Sequence, residues 1–205
     1  MIDATAVVLA GGKSSRFGSD KALATLEGET LITRCVRGLL AVFPEVIVVS
    51  KRPDTYAFLR MLGRVSLACD LYAEHNPLAG IEAGLSASAT AANFVCACDM
   101  PLIHPKVLSA LHQELPGYEA VVPIRGVSPQ PLCAFYRRSC LEGARRLLLE
   151  GKGPLDLLKT LNTRWIEAEK LTQADPEGLS FLDVDTPGDL LRAEKAVEKG
   201  RRAAC

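Results

Sequence analysis

Val7-Val8-Leu9-Ala10-Gly11-Gly12-Lys13-Ser14-Ser15-Arg16-Phe17-Gly18-Ser19-Asp20-Lys21 is the stretch on which the reading of this chain turns. The apolar run from Ala4 to Ala10 has the length and composition of a buried β-strand. It ends in two glycines, which carry no Cβ to block a tight turn or the close approach of a ligand. Lys13, Arg16 and Lys21 follow within a few residues. Exposed backbone N–H groups together with three cations suit a compact, multiply charged anion such as a nucleoside triphosphate. The spacing is not that of a P-loop, because Gly18 is followed by Ser-Asp-Lys, nor that of the dinucleotide fingerprint Gly-x-Gly-x-x-Gly. The competing reading is an ordinary strand-to-helix turn with solvated lysines.

Working outward, strands and helices alternate. Strands are expected at Val46–Val49, Val65–Cys69, Phe94–Cys98, Ala120–Pro123, Leu132–Tyr136 and Phe181–Asp183, with Trp165 in a further late strand. Helices are expected near Leu31–Val42, Asp54–Met61, Gly80–Ser88, Pro105–Leu115, Ser139–Leu149 and Asp156–Leu161. A last one, Pro187–Lys199, has Thr186 as its cap and proline at its first position. Alternation of this kind predicts an α/β fold, a three-layer α/β/α arrangement around a mostly parallel sheet. Pro123 to Pro131 reads as a long loop, and long loops at the strand-end rim often carry binding residues. The 205 residues suit one domain, with a nucleotide-binding half up to about residue 100 and an acceptor-binding half beyond it.

Bulk properties exclude some classes. The 24 basic and 24 acidic residues balance, so no whole-chain field favours nucleic acid or an anionic membrane surface. No segment approaches the roughly 20 apolar residues of a membrane span, and the acidic Asp3 before a short apolar run is unlike a signal peptide. The seven cysteines show no repeating spacing and read as reduced core residues of a cytoplasmic protein.

In open parallel sheets ligands bind beyond the carboxyl ends of the strands. Asp70, Asp99, Asp183 and Asp185 stand at or just after expected strand ends, on the same rim as the glycine–cation turn. Carboxylates beside a triphosphate need a mediating cation, and Mg²⁺ fills that part with one or two carboxylates plus phosphate oxygens. Asp99 is the leading ligand, since it ends the most apolar strand before Pro101; its other reading is a helix cap. His104 and His112 read as surface or capping residues.

The opening signature resembles that of nucleotidyltransferases built like sugar-nucleotide pyrophosphorylases. Pro77-Leu78-Ala79-Gly80-Ile81 and Cys98-Asp99-Met100-Pro101 are similar to blocks of the molybdenum cofactor guanylyltransferases, and Asp183-Val184-Asp185-Thr186-Pro187 to an end block of the same superfamily. The resemblance covers the whole chain. It implies transfer of GMP from GTP to the terminal phosphate of molybdopterin, with pyrophosphate released and a guanine dinucleotide cofactor formed. It further implies that Leu9, Ala10 and Gly11 lie against the nucleoside through backbone groups, and that Gly12, Lys13 and Arg16 hold the β- and γ-phosphates, which become the leaving group. Lys21 would sit at the α-phosphate, Asp70 near the base, and Asp99 on Mg²⁺. Gly80 would permit close approach of the acceptor, and Asp183 and Asp185 would face the acceptor or a metal; the long loop that carries Arg125 is, by its place on the rim, expected to contact the pterin side. Molybdoenzyme maturation proteins would be further partners. The chain departs from the family at Asn76, where glycine is usual, and at Asp183 and Asp185, where many members have asparagine; the paired acids, with Phe17, lean towards sister enzymes. The alternatives are therefore a CTP-dependent cytidylyltransferase, transfer to another phosphorylated acceptor, or a nucleotide-binding domain without turnover.

Overall fold

In the computed structural model, residues 1–11 and 20–204 are described, with side chains through 199. In chain order the strands are β1 Thr5–Leu9, β2 Thr25–Leu26, β3 Glu29–Thr30, β4 Glu45–Ser50, β5 Val65–Cys69, β6 Ala92–Ala97, β7 Ala120–Arg125, β8 Ser128–Pro129, β9 Cys133–Arg137 and β10 Thr163–Glu167. The helices are α1 Leu31–Leu40, α2 Pro77–Ala87, α3 Pro105–Gln113, α4 Leu141–Leu149, α5 Pro154–Thr160 and α6 Pro187–Ala204.

The main sheet runs in the order β10-β7-β9-β6-β1-β4-β5, with β8 paired to β7. Pairing is parallel at β1–β4, β1–β6, β4–β5 and β7–β10, and antiparallel where β9 lies between β6 and β7. This is the expected α/β architecture, with a mixed rather than purely parallel sheet.

β1 shows why the sheet is covered on both faces. Val8, with Ala6 and Ala10, joins the apolar cluster that includes Ile32, Val36 and Leu39 of α1 and Val107, Leu108 and Leu111 of α3. Val7 and Leu9 point the other way, into a cluster with Leu78, Ile81 and Leu85 of α2, Leu147 of α4 and Leu157 of α5. The two-residue period of a strand feeds both clusters, so Ala6–Ala10 must be apolar throughout. Gly84 of α2 lets that helix lie directly on the strand, since a Cβ there would come within 2.3 Å of Val7 Cγ1.

A third, smaller cluster sits outside the sheet. Leu26 of β2 and Leu31 of α1 pack with Leu182, Val184 and Ala193 of α6. It ties the closing segment of the chain to the hairpin that follows Lys21.

Three expectations change. Phe181–Asp183 is not a strand: Leu179–Phe181 is a short 3₁₀ turn, and the Val184 N–H donates to the Asp99 carbonyl at 2.9 Å. Leu182 packs in the third cluster and Phe181 in the first, instead of adding to the sheet. Residues 54–61 are not an α-helix but part of a 3₁₀ winding, Pro53–Leu62, broken at Tyr56 (φ −108°, ψ 15°). Within Pro123–Pro131 the chain makes a hairpin, β7 to β8, turned by Gly126 at φ +60° and Val127. Glycine in that conformation permits a two-residue turn.

Candidate functional site

The sheet order brings the two decisive strand ends side by side. β1 and β6 are parallel neighbours, with Leu9 opposite Ala97, and the Cys98 N–H donates to the Leu9 carbonyl at 3.1 Å. From β1 the chain continues to β4 and β5 on one side, and it returns to β6 on the other. That reversal is where open α/β sheets hold ligands. Ala10 is buried and its N–H donates to the Val49 carbonyl; Leu9 is buried too, so Gly11 is the exposed residue of the three. Gly12, Lys13 and Arg16 lie outside the described residues.

Asp99 stands in a turn closed by the Met100 N–H on the Ala97 carbonyl. It caps no helix, because His104 caps α3, its Nδ1 accepting from the Lys106 N–H at 3.2 Å. The Asp99 carboxylate faces Lys21 instead. Lys21 Nζ donates to Asp99 Oδ2 and to Asp185 Oδ1, both at 2.5 Å. The opening turn, the end of β6 and the segment before α6 thus meet on one ammonium group. Burial works against the Lys21 charge, but hydrogen bonds to Asp185 and Asp99, reinforced by their charges, hold its pKa above the ordinary lysine value.

The closing segment alternates. Leu182 and Val184 are buried, while Asp183 and Asp185 face out. Its geometry is locked by a reciprocal cap. The Asp189 N–H donates to Thr186 Oγ1 at 3.2 Å, and Asp189 Oδ2 accepts from the Thr186 N–H at 2.8 Å and the Asp185 N–H at 3.2 Å. Thr186 is therefore the cap that the sequence indicates, and Asp189 supports the orientation of Asp185.

Asp183 sits at an open rim, yet packing around its carboxyl, followed by the charges of Asp99 and Asp185, pushes its pKa up to about 6 against the pull of Lys21 and Arg125. A carboxyl whose folded pKa exceeds its unfolded value of about 3.9 favours the fold below that value, and this support is lost as pH rises through about 6. Solvent screening at the rim keeps the effect below about 1 kcal/mol. The melting temperature of Asp183→Asn relative to the parent is therefore expected to rise between pH 4 and 7 and then level off. A difference that does not change with pH would refute the shift.

Arg125 ends β7 and donates from Nη1 to the Phe181 carbonyl at 3.2 Å, so it borders the same acidic segment. Asp70 follows β5. Its Oδ1 accepts from the Tyr72 N–H at 3.0 Å, and Oδ2 lies 3.4 Å from Lys51 Nζ. Lys51 also donates to the Tyr72 and Glu74 carbonyls, fixing the loop that leads to α2. Asn76, the departure from glycine, caps α2 through Oδ1 on the Leu78 N–H at 3.0 Å and donates from Nδ2 to the Lys152 carbonyl at 2.6 Å. Gly80 is buried in α2, and a Cβ on it would lie 3.1 Å from the Leu9 side chain. The structure thus gives Gly80 a packing role under β1.

The donor set suits a hard divalent cation. Asp99 Oδ1 is a buried oxygen with no hydrogen-bond partner among the described residues. An oxygen left in that state is costly unless something else takes its lone pairs. Among the described residues no three acids, histidines or cysteines are grouped to hold a metal alone. Mg²⁺ does not need them, since it keeps waters and phosphate oxygens beside one or two carboxylates. Cys35, Cys96, Cys98, Cys133 and Cys140 are buried thiols, and Cys69 is exposed. No helix among the described residues is long and apolar enough to cross a membrane.

Two residues of this site escaped the sequence reading. Lys51 carries no motif, and Tyr56, whose hydroxyl donates to Asp20 Oδ2 at 2.7 Å, is separated from its partner by 36 positions.

The chain is similar to known proteins. A family model described as "MobA-like NTP transferase domain" matches residues 6–165, which include Lys21, Asp70, Asp99 and Arg125. The "Probable molybdenum cofactor guanylyltransferase" of Pelotomaculum thermopropionicum is 35% identical over 202 residues, covering 98% of this chain and 97% of the relative. The "Molybdenum cofactor guanylyltransferase" of Desulfosudis oleivorans is 34% identical over 201 residues, covering 96% and 97%. Among solved structures, the molybdopterin-guanine dinucleotide biosynthesis protein A of Archaeoglobus fulgidus superposes with a TM-score of 0.80 at 32% identity, covering 95% of this chain and 99% of that one. With its signature turn, its sheet order and relatives matched along nearly their full length, the chain belongs to the MobA-like NTP transferase family.

Proposed function

We propose that this chain transfers GMP from GTP to the terminal phosphate of molybdopterin, forming the guanine dinucleotide cofactor and releasing pyrophosphate. The observation that carries the reading is Lys21 held between Asp99 and Asp185 at the adjoining ends of β1 and β6, in a chain related along its whole length to guanylyltransferases.

The chemistry follows from the groups present. An oxygen of the acceptor phosphate attacks the α-phosphorus, and the bond to the β-phosphate bridging oxygen breaks. The nucleophile is ionised at neutral pH, so no general base is required. What remains is positioning and neutralisation of charge. Lys21 donates to the α-phosphate oxygens as negative charge builds there. The exposed backbone at Gly11 approaches the nucleotide, and Gly12, Lys13 and Arg16 neutralise the departing phosphates. Asp99 would hold Mg²⁺, which would supply charge to screen the phosphates and polarise the reacting phosphorus. Asp70, fixed by Lys51, borders the base. Asp183, Asp185 and Arg125 border the acceptor, which enters over the half of the chain beyond about residue 100. Buried thiols fit a reducing compartment, and we place the reaction in the cytoplasm, upstream of molybdoenzyme maturation proteins.

A nucleotide panel tests this. With Mg²⁺, pyrophosphate release is expected from GTP, at least about tenfold faster than from CTP, and only when molybdopterin is supplied. A ratio of ten corresponds to about 1.4 kcal/mol of discrimination at the base. Faster release from CTP would assign the cytidylyl reaction, and no release from any nucleotide would indicate a binding domain.

A further inference from the structure

Tyr56 is 2% exposed and lies at the break in the Pro53–Leu62 winding. It belongs to no sequence motif, yet it makes one specific polar contact, its hydroxyl donating to Asp20 Oδ2 at 2.7 Å. The second carboxylate oxygen, Oδ1, accepts from the Ala22 N–H at 3.1 Å and so closes the short 3₁₀ turn Lys21–Leu23. Both oxygens of Asp20 are therefore committed, one to an element that follows β4 and one to the backbone just past Lys21. Between these two anchors the Lys21 side chain leaves the main chain and reaches Asp99 and Asp185.

We infer that Tyr56 is a positioning residue for nucleotidyl transfer, acting through Asp20 to fix the backbone from which Lys21 projects. This rests on the reading of Lys21 as the lysine at the α-phosphate. The break at Tyr56 fits the inference: the residue leaves helical geometry where its ring is buried and its hydroxyl meets Asp20. Burial, followed by the hydrogen bond to Asp20, holds the phenol far above its ordinary range, so it remains a donor at every working pH. Lysine is a flexible point charge on a four-carbon stem, so its placement depends on where the backbone starts it. A displacement of about 1 Å at the reacting centre can cost up to a hundredfold in rate.

Tyr56→Phe removes the hydroxyl and keeps the ring. The expected result is a fall in kcat of about tenfold, with the KM for GTP changed less than about twofold. The decisive readout is the same substitution in a Lys21→Ala background, measured on the residual pyrophosphate release. If Tyr56 acts through Lys21, its loss then changes the rate less than about twofold. A Tyr56→Phe enzyme with the parent kcat, or a tenfold loss that persists without Lys21, overturns the inference. If Tyr56→Phe does not fold, Asp20→Ser keeps a capping oxygen for the Ala22 N–H but is too short to reach the Tyr56 hydroxyl, and it is expected to give the same loss with the same dependence on Lys21. A parent-like rate in that variant overturns the inference equally. Failure of the underlying reading looks different, because Lys21→Ala alone would then retain its activity.

Discussion

Lys21→Ala is expected to lower kcat for guanylyl transfer by about three orders of magnitude, the upper part of the range for removing one donor at a charge-developing oxygen. Its geometry makes the loss twofold in kind. On the proposed reading the ammonium donates to the α-phosphate, and it is also the counter-charge that lets Asp99, Asp183 and Asp185 share one rim. Without it, an incoming triphosphate meets three carboxylates, so the KM for Mg²⁺–GTP should rise along with the fall in kcat. Lys21→Arg is not expected to restore activity, because a planar guanidinium cannot replace a compact ammonium between Asp99 Oδ2 and Asp185 Oδ1. Pyrophosphate release measured beside circular dichroism separates this from unfolding. A rate within about tenfold of the parent would remove Lys21 from the reaction.

Asp99→Asn should cost about a hundredfold to a thousandfold in turnover, and it should also move the magnesium concentration for half-maximal activity upward. The second effect is the informative one. If Asp99 served only as a partner for Lys21, the amide would still accept a hydrogen bond and the magnesium dependence would stay where it is. Asp99 Oδ1, buried and without a hydrogen-bond partner among the described residues, argues for a further ligand there. An unchanged magnesium titration in Asp99→Asn would assign the oxygen to something other than the metal.

Much of the fold could be read in advance, because its signals are local. The run Ala6–Ala10 is apolar at every position since both faces of β1 are covered, and that two-sided burial shows in the sequence. Thr186-Pro187-x-Asp189 announces its own cap. Asp99 could be singled out because a buried strand that stops at a carboxylate and a proline is unusual whatever surrounds it.

What could not be read from the sequence shares a cause as well. Phe181-Leu182-Asp183 has the composition of a strand, but Leu182 packs with Leu26 and Leu31 and Phe181 joins the first cluster, contacts that no local pattern discloses. The antiparallel insertion of β9 between β6 and β7 is a property of the sheet rather than of any segment. Tyr56 and Lys51 act on loops distant in sequence, and neither has a neighbour that betrays the contact. Gly80 reads as a glycine for a substrate because it stands in a motif, whereas in the folded chain it faces Leu9.

The central claim is that one crevice, between the turn after β1 and the end of β6, grips a triphosphate between cationic donors and a metal-bearing carboxylate. A crystal structure with Mg²⁺ and an α,β-methylene analogue of GTP tests it most directly. The account predicts the triphosphate between Gly11 and Asp99, the metal on the Asp99 carboxylate, and Lys21 Nζ moved from Asp185 to an α-phosphate oxygen. A triphosphate bound elsewhere, with Lys21 still joined to both Asp99 and Asp185, would contradict it.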